Sequence, residues 1–291
     1  MQKDYAVHKK RLTLFSLFLL SCICLLSGCS SFSSDVSSYV SPSSNNTTSN
    51  VAKPTPTPDP IKTKAQLILK KMSLNDKFAQ LIMVEFIGHD YTVSGLQQMV
   101  AQQHVGSFLY QESDGNFAWP NNTVDSLHAF SAQATTDAAV APLIAIDQEG
   151  GTVSKTSAFF GPKPSAEQMT QSGDPNTAYE QAKTDASDLK QLGINANLAP
   201  VVDVGPDNTI YGPRFFSDNP DTVTTYAGTF IKGLQDNGIP GTLKHFPGLG
   251  SSDDVDPHSG LPIVTKSMDN LQKTDFVPIR KSSNSRILPW S

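Results

Sequence analysis

The sequence predicts an α/β fold made of βα units, with parallel strands arranged toward a (β/α)8 barrel. Three observations predict it. Short apolar runs rich in β-branched residues alternate with longer stretches of helical periodicity, the pattern of a parallel sheet with crossover helices. The run Leu143-Ile144-Ala145-Ile146 is apolar without alternation, as in strands covered on both faces. Polar, glycine-bearing turns then recur after the same end of successive runs, where barrels place their chemistry: Asp147-Gln148-Glu149-Gly150-Gly151 after one, and Lys244-His245-Phe246-Pro247-Gly248-Leu249-Gly250 after another.

Each element has a local reason. Folded structure is expected from about Thr63, because Ala65, Leu67, Ile68, Leu69 and Met72 recur at helical spacing. Ser73 suits an N-cap for a helix over 74–80, since its hydroxyl can accept from the free amides of the first turn. Strand one is expected over 81–87, a helix over 95–103, strand two over 105–110 and a helix over 123–138. Pro142 starts strand three, 143–147. A helix over 178–192 stops at Gly193, and strand four, 194–204, carries Asp203 near its end. A helix over 222–237 stops at Gly238, strand five spans 240–245, and a last helix spans 268–279. This makes about five of eight βα units. The polar tail from Arg280 to Ser291 continues none of the pattern, so an incomplete barrel is expected, with strands one and five as unpaired edges.

Ahead of the folded part, Lys3, Lys9, Lys10 and Arg11 precede an apolar run over 12–26. That run is short for a membrane span of roughly 20 residues and suits the core of an export signal. Leu26-Ser27-Gly28-Cys29 closes it and resembles the bacterial lipobox, which implies cleavage before Cys29 and lipidation of that cysteine. The expected division is a lipoprotein signal peptide over 1–28, a Ser/Thr/Pro-rich tether over 29–62 and a partial barrel over 63–291. Its alternating prolines hold the tether extended, at about 3.1 Å per residue. The expected location is the extracytoplasmic face of a bacterial membrane, reached through the lipid anchor.

Composition narrows the chemistry. The leader removes four of the 22 basic and one of the 27 acidic residues, leaving a net charge of −8. No basic face is visible, which argues against a nucleic-acid partner. The three cysteines are Cys22, Cys24 and Cys29, so thiolate chemistry and disulfides are absent from the part expected to fold. Gly150-Gly151 is no dinucleotide fingerprint, because G-x-G-x-x-G is missing and the preceding acids would repel a pyrophosphate; no cofactor is expected. The densest cluster of reactive side chains is Lys244, His245, Asp253, Asp254, Asp256 and His258. Divalent-metal sites built from oxygen ligands draw on wider spacing than this, so no metal is expected and acid/base work is the preferred reading.

Five motifs in order carry a resemblance. Lys71-Met72-Ser73-Leu74, Ile146-Asp147-Gln148-Glu149-Gly150-Gly151, Ala199-Pro200-Val201-Val202-Asp203-Val204 after Gly193-Ile194-Asn195, Pro213-Arg214-Phe215-Phe216, and Lys244-His245-Phe246-Pro247-Gly248 together resemble family 3 glycoside hydrolases, in the branch of bacterial β-N-acetylhexosaminidases. The resemblance implies a (β/α)8 barrel of the TIM type and retaining hydrolysis of a terminal β-linked N-acetylglucosamine from cell-wall or chitin-type glycans. It further implies that Asp147, Arg214, Lys244 and His245 line the sugar pocket, and that Asp256 and His258 form an acid/base pair. An imidazole with an ordinary pKa of about 6.5 can protonate a leaving oxygen and later take a proton from water. Such a pair departs from the commoner two-carboxylate plan.

The sequence also departs from the family pattern. Leu249 stands where the loop usually reads G-H-G, Thr152 and Lys155 where arginines are usual, and Pro257 where serine is usual. Lys155 keeps the charge without the two-pronged donor geometry of a guanidinium. No motif matching the family's aspartate nucleophile is found before Ser291. Two classes of function are therefore carried forward: a truncated hydrolase, and a sugar-binding lipoprotein without turnover.

Overall fold

The computed structural model describes residues 59–206, 211–250 and 260–284. Thr57–Ser291 forms a compact unit. The signal, Cys29 and the tether up to residue 58 lie outside the described residues, as do Asp253, Asp254, Asp256 and His258.

Helix α1, Pro60–Lys71, starts three residues before Thr63, inside the stretch expected to be tether. The cause is local: Asp59 accepts from the amide of Ile61 at 2.9 Å, and Pro60 occupies the first helical position, where no donor is needed. Helix α2, Leu74–Ala79, has the expected cap, with Ser73 and Asp76 exchanging bonds in a capping box. Strand β1, Met83–Glu85, helix α3, Leu96–Ala101, strand β2, Ser107–Tyr110, helix α4, Val124–Asp137, and strand β3, Leu143–Ile146, follow within the expected ranges.

The next stretch holds elements the hydrophobic pattern did not reveal. Strand β4, Gln148–Gly150, turns back on β5, Val153–Ser154, as an antiparallel hairpin. Its turn needs glycine, since Gly150 and Gly151 have φ of +95° and +58°, and a Cβ on Gly150 would stand 2.1 Å from the carbonyl oxygen of Pro164. Helices α5, Ser157–Phe160, and α6, Ala166–Gln171, come next; α6 is announced by a Ser165/Gln168 capping box.

Helix α7, Asn176–Gln191, leads to strand β6, Ala196–Asn197, far shorter than the expected 194–204. Pro200 lacks an N–H and interrupts the ladder. The chain stays in register regardless: Asn195 and Leu198 donate to Ile144 and Ile146 on one side, and Thr242 and Lys244 donate to Ala199 and Pro200 on the other. A 3-10 turn at Gly212–Arg214 and helix α8, Pro220–Asp236, follow. Strand five is reduced to the bridges Asn197↔Gly241 and Val201↔Lys244, both parallel.

The expected 268–279 helix is two helices, α9, Met268–Lys273, and α10, Phe276–Asn284. Proline explains the break: in one continuous helix Pro278 would owe a donor to the carbonyl of Thr274, whereas after a restart it sits in a first turn.

The sheet order is β1-β2-β3-β6, all parallel, with the 240–244 segment beyond β6. This is an α/β fold with the architecture of part of a barrel. Its core packs Phe108, Tyr110, Ile144 and Ile146 of the strands against Leu96, Leu127, Leu189 and Phe230 of the helices, all essentially buried. β1 stands at one end of the sheet order, and near it Leu74, Phe78, Leu81 and Met83 are exposed.

Candidate active site

Strand direction sets the site. β3, β6 and the 240–244 segment run parallel, so residues just past their carboxyl ends meet at one rim. Asp147 follows β3, Asp203 follows the β6 segment, and Lys244 and His245 close the fifth segment. Arg214 enters from the 3-10 turn.

Asp147 and Glu149 are two residues apart in extended chain, so their side chains share a face. Lys244 Nζ lies 2.5 Å from Asp147 Oδ1 and 2.7 Å from Glu149 Oε1. Arg214 grips the same carboxylate with both arms, Nε to Oε2 at 2.9 Å and Nη2 to Oε1 at 3.0 Å, the fork geometry in which guanidinium pairs are strongest. Glu149 is thus the hub of the cluster, with its side chain 5% exposed. Burial pushes its carboxyl pKa up, but the hydrogen bonds and fields of Arg214 and Lys244 outweigh burial and hold it below the usual carboxylate range. For Arg214, burial acts downward, while the bond to Glu149 and the fields of Glu149, Asp203 and Asp147 raise its pKa on balance.

His245 is turned toward Asp203. Its ring Nδ1 lies 2.6 Å from Asp203 Oδ2, and the amides of His245 and Leu249 donate to Oδ1 at 3.2 and 2.8 Å. A fully buried carboxylate therefore fastens the 245–249 loop at both ends. It also places the proton of the neutral ring on Nδ1, leaving Nε2 as an acceptor.

The structure brings Asp147, Arg214 and Lys244 together, with His245 adjacent on the same loop. Asp256 and His258 lie outside the described residues. Sequence reasoning did not name Glu149 and Asp203 as site residues. The signal for Glu149 was its spacing from Asp147, and for Asp203 its place at a strand end. Lys155 donates to Gln111 Oε1 at 2.5 Å. Among the described residues at the rim, Arg214 and Lys244 face the carboxylates of Asp147, Glu149 and Asp203. The same groups offer closely spaced donors and acceptors, which suit a neutral ligand rich in hydroxyls.

Parallel βα units with such a rim define a barrel-type domain with its polar cluster at one end of the strands. The chain belongs to glycosyl hydrolase family 3: the model of the family's N-terminal domain matches residues 73–286. Among curated proteins, it is 33% identical over 248 residues to beta-hexosaminidase LpqI of Mycobacterium tuberculosis, covering 82% of this chain and 60% of that protein. It is 32% identical over 191 residues to beta-hexosaminidase A of Pseudoalteromonas piscicida, covering 63% of this chain and 31% of that one. Among solved structures, a glycosyl hydrolase family 3 member from Mycobacterium smegmatis matches with a TM-score of 0.65 at 30% identity, over 75% of this chain and 63% of that one. A family 3 β-N-acetylglucosaminidase from Paenibacillus matches with a TM-score of 0.62 at 31% identity, over 72% of this chain and 40% of that one. The chain thus spans about three fifths of the length of the first of these relatives.

Proposed function

We propose that this domain recognises the terminal N-acetylhexosamine of a β-linked cell-wall or chitin-type glycan and works as a glycosidase by a retaining route. The observation that carries the reading is the hub at Glu149, which holds Arg214 and Lys244 beside Asp147 on one rim. Relatives named as hexosaminidases support the sugar assignment.

In this reading Asp147 accepts from hydroxyls of the terminal sugar, and Lys244 and Arg214 donate to its ring substituents. His245, locked by Asp203, lines the same wall. His258 protonates the bridging oxygen as the glycosidic bond breaks and the anomeric carbon bonds to a carboxylate nucleophile, a group outside the motifs identified in this sequence; His258 then takes a proton from the water that displaces that carboxylate, with Asp256 holding its imidazole in one tautomer. No metal or cofactor enters these steps. The chain is exported and held at the membrane by a lipid on Cys29.

A second reading, sugar binding without turnover, draws on the rim alone, where Asp147, Glu149, Arg214 and Lys244 already supply paired donors and acceptors. Release of 4-nitrophenol from the aryl N-acetyl-β-glucosaminide separates them. Release abolished by His258→Ala supports hydrolysis; saturable sugar binding without release supports the binder. Absence of both would refute the sugar assignment altogether.

A further inference from the structure

Between the two acids of the rim stands Gln148, whose side chain leaves on the opposite face of the strand. It is fully buried, as are Asn197 on β6 and Asp185 on α7, and the steps above use none of the three. The Asn197 carboxamide holds both polar groups of the Gln148 backbone. Asn197 Oδ1 accepts from the Gln148 amide at 3.0 Å, and Asn197 Nδ2 donates to the Gln148 carbonyl at 2.9 Å. The Gln148 side chain is saturated too. Its Nε2 donates to Ser154 Oγ at 3.0 Å and to Asp185 Oδ1 at 3.3 Å, while Oε1 accepts from the Thr156 amide at 3.2 Å. Gln181 Nε2 braces Asp185 from the same helix at 2.9 Å.

A buried amide is costly unless its polar atoms are paired, yet this one joins β4 to β5 and α7, while Asn197 ties the backbone of the same residue to β6, at the position flanked by both rim acids. Any rotation of residue 148 moves Asp147 and Glu149 together, and a bidentate guanidinium fork tolerates little such movement. We propose that Gln148 is a positioning residue for the sugar pocket: its amide, clamped by Asp185, Ser154 and Thr156, sets where Asp147 and Glu149 meet Lys244 and Arg214. This rests on the reading of the rim as a sugar site.

Two readouts test it, one independent of sugar. The first is hydrogen exchange of the Arg214 Nε–H by NMR, assigned through its loss in Arg214→Lys. The second is the affinity for N-acetylglucosamine. Gln148→Met conserves volume but makes none of the amide's bonds, and is expected to speed exchange and weaken binding by about tenfold each, the factor that goes with roughly one buried hydrogen bond. Gln148→Glu sets a second carboxylate against Asp185 and is expected to do the same. Adding Asp185→Asn restores a donor facing an acceptor and should return both readouts to near parent values.

Parent-like exchange and affinity in Gln148→Met overturn the proposal, as does failure of the double variant to recover. Where Gln148→Met loses cooperative melting, the double variant decides on the same readouts. If exchange responds as expected but the parent binds no sugar, the positioning role stands and the sugar reading fails.

Discussion

Removing one charge at Glu149 tests the organisation of the rim. Glu149→Gln keeps shape and leaves one carbonyl acceptor, but sets an NH2 group against donors from Arg214 and Lys244, which approach the parent carboxylate at 2.7–3.0 Å. Breaking a buried pair by deleting one partner costs about 3–5 kcal/mol. Lys244 keeps Asp147 at 2.5 Å, and Arg214 and Lys244 are 20% and 16% exposed, so the lower figure of about 3 kcal/mol applies here. At about 2–4 °C per kcal/mol for a domain of 150–250 residues, Tm should fall by about 6–12 °C. Thermal melts followed by circular dichroism measure this. The fall should persist in high salt, because a largely buried pair is weakly screened.

The same variant has a pH signature. A carboxyl held below its ordinary 4.5 contributes stability that is present above that value and lost as pH falls through the folded pKa. The gap between parent and variant should therefore close in acid. A Tm loss under about 2 °C at pH 7, with no closing of the gap, would mean that Glu149 is not the hub.

Asp203→Asn should weaken sugar binding and open the 245–249 loop to proteolysis, since one buried carboxylate accepts from two loop amides and faces the His245 ring; unchanged cleavage would contradict this. Burial pushes the Asp185 carboxyl up from 3.8 to about 7, against hydrogen bonds from Gln181 and Gln148 and the field of Lys163, with Asp188 adding to the rise. A raised pKa stabilises in full below the unfolded value, about pH 4, and the contribution is lost as pH rises to about 7. Urea melts of Asp185→Asn across that window should be flatter than the parent's, and parallel curves would contradict the expectation. Cys29→Ala should abolish incorporation of an alkynyl fatty acid and move the protein from the membrane fraction to the soluble one; unaltered labelling would exclude Cys29 as the anchor.

Much of the fold was legible because its signals are local. Ser73 capped α2, Gly193 and Gly238 closed the helices before them, and the apolar run at 143–146 became β3, buried from Ile144 onward. What escaped depended on polar contacts distant in sequence. The β4–β5 hairpin has almost no apolar pattern and exists through Gly150, Gly151 and the buried Gln148 amide. Strand four lost its regularity to Pro200, and the last helix split at Pro278. In the site, Asp147, Arg214 and Lys244 were readable as charged residues just past strand ends or in a motif. Glu149 and Asp203 were visible as residues but not as the hub and the loop clamp, because those roles come from partners 42 or more positions away.

In the proposed function the rim of Asp147, Glu149, Arg214 and Lys244 holds an N-acetylhexosamine. Titration of N-acetylglucosamine into the 15N-labelled chain, followed by NMR, tests it most directly. Saturable shifts are expected at the Arg214 side chain and at the Asp147 and Lys244 amides, absent in Asp147→Ala. Shifts confined to other surfaces, or none at millimolar sugar, would contradict it.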